Sequence, residues 1–168
     1  MPQASAISEF LAKYTPEIAA QLCAAREQLT EHFPHGFELV YDNYNALVFA
    51  FAATERATDA IVSVAGYPKW VTLFFAKATS LEDPHHILEG SGTQFRGVRL
   101  QPISKLYEPE VQALILCAKA AAGSSLAAAP QLTTIIKSVS AKQRPRKPAV
   151  AKKPEPKVTR RRVGTSGA

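Results

Sequence analysis

Cysteine is scarce in this chain: Cys23 and Cys117 are the only two in 168 residues. That is too few for a scaffold built on disulfides. Each lies in a run of helical spacing, far from the other, so two reduced, buried thiols are expected. Long apolar runs are missing as well. No window of about 18 uncharged apolar residues occurs, which argues against a membrane-spanning helix. The opening MPQASAISEFLAKY has neither a basic n-region nor an apolar core, so it does not read as a secretory signal. A cytoplasmic protein is expected. Catalytic signatures are equally short: no nucleophile motif, no HExxH, no P-loop and no paired carboxylates placed for acid–base work. A non-enzymatic protein is the expectation.

What the chain does have is basic charge, and it is concentrated at one end. From residue 141 onward there are ten Lys or Arg against the single acid Glu155, a local charge of +9. Residues 1–140 carry ten bases and thirteen acids, or −3. The overall +6 therefore describes neither part.

Residues 5–122 read as an α+β domain. Ile7, Phe10 and Leu11 have helical spacing within Ser5 to about Tyr14. Thr15-Pro16-Glu17 then supplies a cap, a first-turn proline and an acid for a helix reaching about His32. Pro34-His35-Gly36 ends it. Phe37, Leu39 and Tyr41 alternate with Glu38 and Asp42, a half-buried strand with its apolar residues inward. In 46–52, Leu47, Phe49 and Phe51 share one face, and Ala46, Ala50 and Ala52 leave the other open to a packed helix or a ligand. Ala60–Ala65 and Trp70–Ala76 are further strands. A short helical turn follows from Asp83 to Leu88, then a strand with Val98 and Leu100. A last helix opens at Glu108-Pro109-Glu110 and stops at Gly123. Short links favour an antiparallel meander of about five strands. The expected organisation is a domain over 5–122, a loosely ordered linker or short docking segment over 123–140 containing QLTTIIKSV, and a disordered tail over 141–168.

The stretches TPEIAAQLCAAREQL, ELVYDNYNALVFAF, WVTLFFAKATSLEDPHHILEGSGTQFRGVRL and EPEVQALILCAKAA, within about residues 14–122, resemble the YdhG-like family of small bacterial proteins. The segment LEDPHHILEGSG followed by a strand with Arg is the most specific part. The resemblance implies an antiparallel sheet with helices at both ends of the domain, in the bacterial cytoplasm. It also raises an iron role, because some relatives are described as frataxin-like iron chaperones.

Four groups of residues are candidates for binding. Glu82, Asp83, His85, His86 and Glu89 offer imidazole and carboxylate in one short segment, either a weak iron site or a solvated capped turn. Gly90, Ser91 and Gly92 offer a backbone nest for an anion, with Arg96 and Arg99 following. Tyr41, Tyr44, Tyr67 and Trp70 stand at strand ends and turns, where amphipathic rings line clefts. Lys142, Arg144, Arg146, Lys147, Lys152, Lys153, Lys157, Arg160, Arg161 and Arg162 form a polycation suited to non-specific contact with DNA or RNA. Its AVAKKPEPKV stretch looks like the Lys-Ala-Pro tails of linker-histone-type proteins. A solubilising tail, or one that folds back on its −3 domain, is the competing reading. The sequence thus points to a binding protein with an unidentified small ligand and a nucleic-acid-binding tail. An iron chaperone and an anionic-metabolite binder are the alternatives, and iron is the only cofactor raised.

Overall fold

Thr15 starts a helix as its residue type predicts, its hydroxyl accepting from the Ile18 amide at 3.4 Å. In the structure, a computed structural model that describes residues 2–148, this helix is α2 (Pro16–His32), preceded by α1 (Pro2–Leu11). Ile18, Leu22, Ala25 and Leu29 are the buried face of α2. The chain leaves α1 three residues before Tyr14, which buries its ring in the core instead of extending the helix.

Four strands follow with short links: β1 (Phe37–Asp42), β2 (Leu47–Ala52), β3 (Ala60–Gly66) and β4 (Val71–Ala76). After the 81–94 loop comes β5 (Phe95–Arg99), and α3 (Pro109–Ala127) crosses back over the sheet. Gly123, at φ +41°, kinks α3 rather than ending it, and the chain winds on to Ala127. From β1 to β5 each strand pairs antiparallel with the next, as the short links required.

The expected five-strand meander is incomplete. QLTTIIKSV, read as a linker or docking piece, supplies β6 (Thr133–Val139), which adds parallel to β1. The sheet is therefore six-stranded and mixed, in the order β5-β4-β3-β2-β1-β6. Gly36 makes the junction possible. It sits at φ +107°, donates its N–H to Pro130 and accepts from Thr133, and a side chain there would strike the Ala52 carbonyl.

Residues of all three helices pack with Val40, Leu47, Phe49, Phe51, Val62, Val64, Leu73 and Phe75 in one core. Val40 belongs to this set and Leu39 does not, which inverts the expected orientation of β1. Phe37, Leu39 and Tyr41 lie on the opposite face of the sheet, in a second cluster with Ala50, Ala52 and Ile135. The small-residue face of β2 thus meets neighbouring strand side chains, and that cluster contains no helical residue. On the helix side, β1 presents two buried acids, Glu38 and Asp42. No helix among the described residues is long and apolar enough to cross a membrane.

Candidate functional site

Two carboxylates beneath a helical layer demand counter-charges, because an unpaired buried charge costs several kcal/mol. Arg26 of α2 answers Glu38 with a fork of two bonds at 2.6 and 2.9 Å, and Thr134 of β6 adds a third at 2.7 Å. Asp42, fully buried, receives the Lys13 ammonium at 2.5 Å. Its second partner is Arg146, whose side chain is 1 % exposed. The same guanidinium donates to the Asn43 carbonyl at 2.5 Å and lies 5.2 Å from the centre of the Tyr14 ring. Gln143 completes the cluster, accepting from Lys13 at 2.8 Å and donating to the Asp42 carbonyl at 3.2 Å.

Titration follows from this geometry. Burial alone would push the Asp42 carboxyl up; donors from Lys13, Gln143 and Arg146 outweigh it and hold the group below its ordinary value. Burial pushes the Tyr14 phenol up to about 12, against the pull of Arg146. Its hydroxyl donates to the Gly66 carbonyl and accepts from the Leu47 amide at 2.9 Å.

Arg146 was expected to be a solvated tail residue, and this is corrected: it is a buried structural cation. The chain reaches it as a strap beyond β6. The Ser140 amide bonds the Asp42 carbonyl and the Arg144 amide bonds the Tyr44 carbonyl, both at 2.8 Å. Within residues 123–148 the chain finishes α3 at Ala127, forms β6 over Thr133–Val139 and runs on as the strap. Lys142, Arg144 and Lys147 remain exposed. Lys152, Lys153, Lys157, Arg160, Arg161 and Arg162 lie outside the described residues.

The strap forms one wall of a groove of about 880 Å³ at this end of the sheet. The opposite wall comes from the start of α2 and the β3–β4 turn. Exposed Lys69, Arg144 and Lys147 stand around it beside the partly covered Trp70 and Ile103, with Glu17 as the one acid. Trp70 has two close neighbours: Arg99 lies 4.3 Å from its ring centre, and Tyr67 packs at 5.5 Å. Of the aromatic candidates, Trp70 and Tyr67 therefore come together. Tyr44 reaches the same end through its bond to the strap and is 48 % exposed. Tyr41 belongs to the opposite face of the sheet. A smaller cavity of about 230 Å³ lies between α3 and the strands, walled by small residues such as Ala118 and Ala122, with Asp59 and Lys77 as its charged residues.

The other two candidates close on themselves. Arg96 donates to the Gly92 carbonyl at 2.9 Å, holding the Gly90-Ser91-Gly92 loop from within, while Arg99 turns to Trp70. The two arginines pair with Phe75 and Thr72 of β4, so they cannot converge on one anion. Asp83 spends its two carboxylate oxygens on the Ile87 and Leu88 amides, each at 3.0 Å. The capped turn is formed, and Glu82, His85, His86 and Glu89 are exposed around it. Among the described residues no three His, Cys, Asp or Glu side chains gather as a metal would require.

Sequence reasoning missed Lys13, Asp42 and Gln143. The available signal was the pair Glu38 and Asp42, which share one face of a strand with Val40. No family model matches the chain, and no curated protein or solved structure matches it either.

Proposed function

We propose that this chain is a non-enzymatic nucleic-acid-binding protein, its YdhG-like domain carrying a C-terminal polycation that grips phosphates without reading sequence. The observation behind this is the division of charge: −3 over residues 1–140 and +9 over the remainder. Arg146 is neutralised by Asp42, while among the described residues Lys142, Arg144 and Lys147 are exposed and make no ion pair. A charge split of this size supports counterion release as the driving force.

The test is duplex DNA binding by the full chain against salt. If six phosphates are neutralised, log affinity falls against log salt with a slope of about −5, at roughly −0.9 per phosphate. A full-length variant with Lys152, Lys153, Lys157, Arg160, Arg161 and Arg162 all replaced by Gln should lose at least tenfold in affinity at low salt and show a flatter slope. Equal affinity of the two proteins would end this reading. Removing everything after Ser140 is a poorer experiment, because it also strips Arg146 from Asp42.

A further inference from the structure

We infer that the groove beside Trp70 is a binding site for single-stranded nucleic acid, with a base stacking on the indole and phosphates lying along Lys69, Arg144 and Lys147. This rests on the proposed nucleic-acid function and adds to it a site on the folded domain.

Three independent features converge there. The first is charge. The domain before the strap is acidic, yet this groove gathers three exposed cations against Glu17 alone. Among the described residues none of the three makes an ion pair. The second is an organised aromatic. The Arg99 guanidinium lies 4.3 Å from the Trp70 ring centre and Tyr67 packs at 5.5 Å with its ring tilted by 31°, so the indole's orientation is set before a ligand arrives. Base–aromatic stacking tolerates any sequence, since every base has a flat π-face. A guanidinium in the same stack adds cation–π attraction.

The third is continuity. Pro148, the last described residue, lines the groove, and six more Lys or Arg follow it in the sequence. A strand held by that sequence is delivered to Trp70 at high effective concentration. The strap's seat on Asp42 fixes where the two meet. Duplex bases are already stacked on one another and turn their faces away from a side chain, so single strands are the form this groove selects.

Trp70 is the only tryptophan in the chain, so its emission reports the groove directly. The full-length protein should be titrated with a short oligothymidylate and, separately, with a duplex of equal length. The single strand should quench the emission to saturation and the duplex should not. Binding to end-labelled strands should show Trp70→Ala weakening single-strand affinity by about tenfold, with duplex affinity unchanged and Trp70→Phe restoring most of the loss. Lys69→Gln with Lys147→Gln, both at exposed positions that spare the core, should weaken the quench in parallel. Single-strand binding without any change in emission, or an equal loss for both nucleic acids in Trp70→Ala, would overturn the groove and leave the tail reading standing. Failure of both nucleic acids to bind would overturn the proposed function itself.

Discussion

Arg146 and Asp42 meet 104 residues apart in sequence, and neither side chain is more than 1 % exposed. One comes from a strap whose composition reads as solvated, the other from the inner face of β1. The contact ties the C-terminal strap to the link between α1 and α2 as well, because Lys13 shares the same carboxylate.

Asp42→Ala should therefore be among the most damaging single changes in the domain. It strands a buried guanidinium with no counter-charge, at a cost of about 3–5 kcal/mol. Arg146→Ala should cost less, because Lys13 still holds the acid. Urea denaturation of the two variants should rank them in that order, and midpoints equal to that of the parent would refute the buried pair.

Acid should act through the same group. The Asp42 carboxyl is held below its ordinary value in the fold, so its contribution is present above the unfolded value of about 3.9 and lost as pH falls through the folded one. Stability measured downward from pH 5 should decline, and less steeply in Asp42→Asn. Parallel curves for the two proteins would contradict the assignment.

Tyr14→Phe removes one hydroxyl and leaves two backbone groups without it, the Leu47 amide and the Gly66 carbonyl. The expected loss is about 1–3 kcal/mol. Because the folded phenol titrates near 12 against 10.0 unfolded, stability should also fall as pH rises between those values. In Tyr14→Phe that alkaline decline should be reduced, as chemical denaturation at pH 9 and 11 can measure.

Much of the fold was legible from periodicity, and the reasons for the exceptions are specific. Thr15-Pro16-Glu17 marked the start of α2, and the alternation in β1 to β4 marked strands, because caps and pleats act over neighbouring residues. Alternation gives a period but not a direction. Apolar Phe37, Leu39 and Tyr41 argued for facing the helices; Glu38, Val40 and Asp42 do so because Arg26, Lys13 and Arg146 neutralise the acids from elsewhere. β6 escaped because an edge strand with one neighbour tolerates Thr, Lys and Ser, and its parallel partner lies 96 residues back. The groove was legible only in part: Trp70 could be read as a cleft residue, but nothing local connects it to Arg144 or Lys147.

Gly36→Ala should disturb the junction of β1 and β6 from both sides. The backbone there is left-handed, and the added methyl group meets the Ala52 carbonyl oxygen. A loss above about 1 kcal/mol is expected, with amide exchange rising first at Thr133. An unchanged melting temperature would mean that the turn relaxes freely.

The position of the Asp42–Arg146 pair also sets a timetable for synthesis. A ribosome makes β1 early and residues 133–146 after every other described element, so the acid waits for its arginine through nearly the whole domain. A polypeptide released before that point has three helices and five strands but lacks both the edge strand and the counter-ion. Such a product holds an ionised group under its helices with only Lys13 beside it, and cellular proteases have a weakened domain to attack. Completion of the fold is thus checked at its final turn.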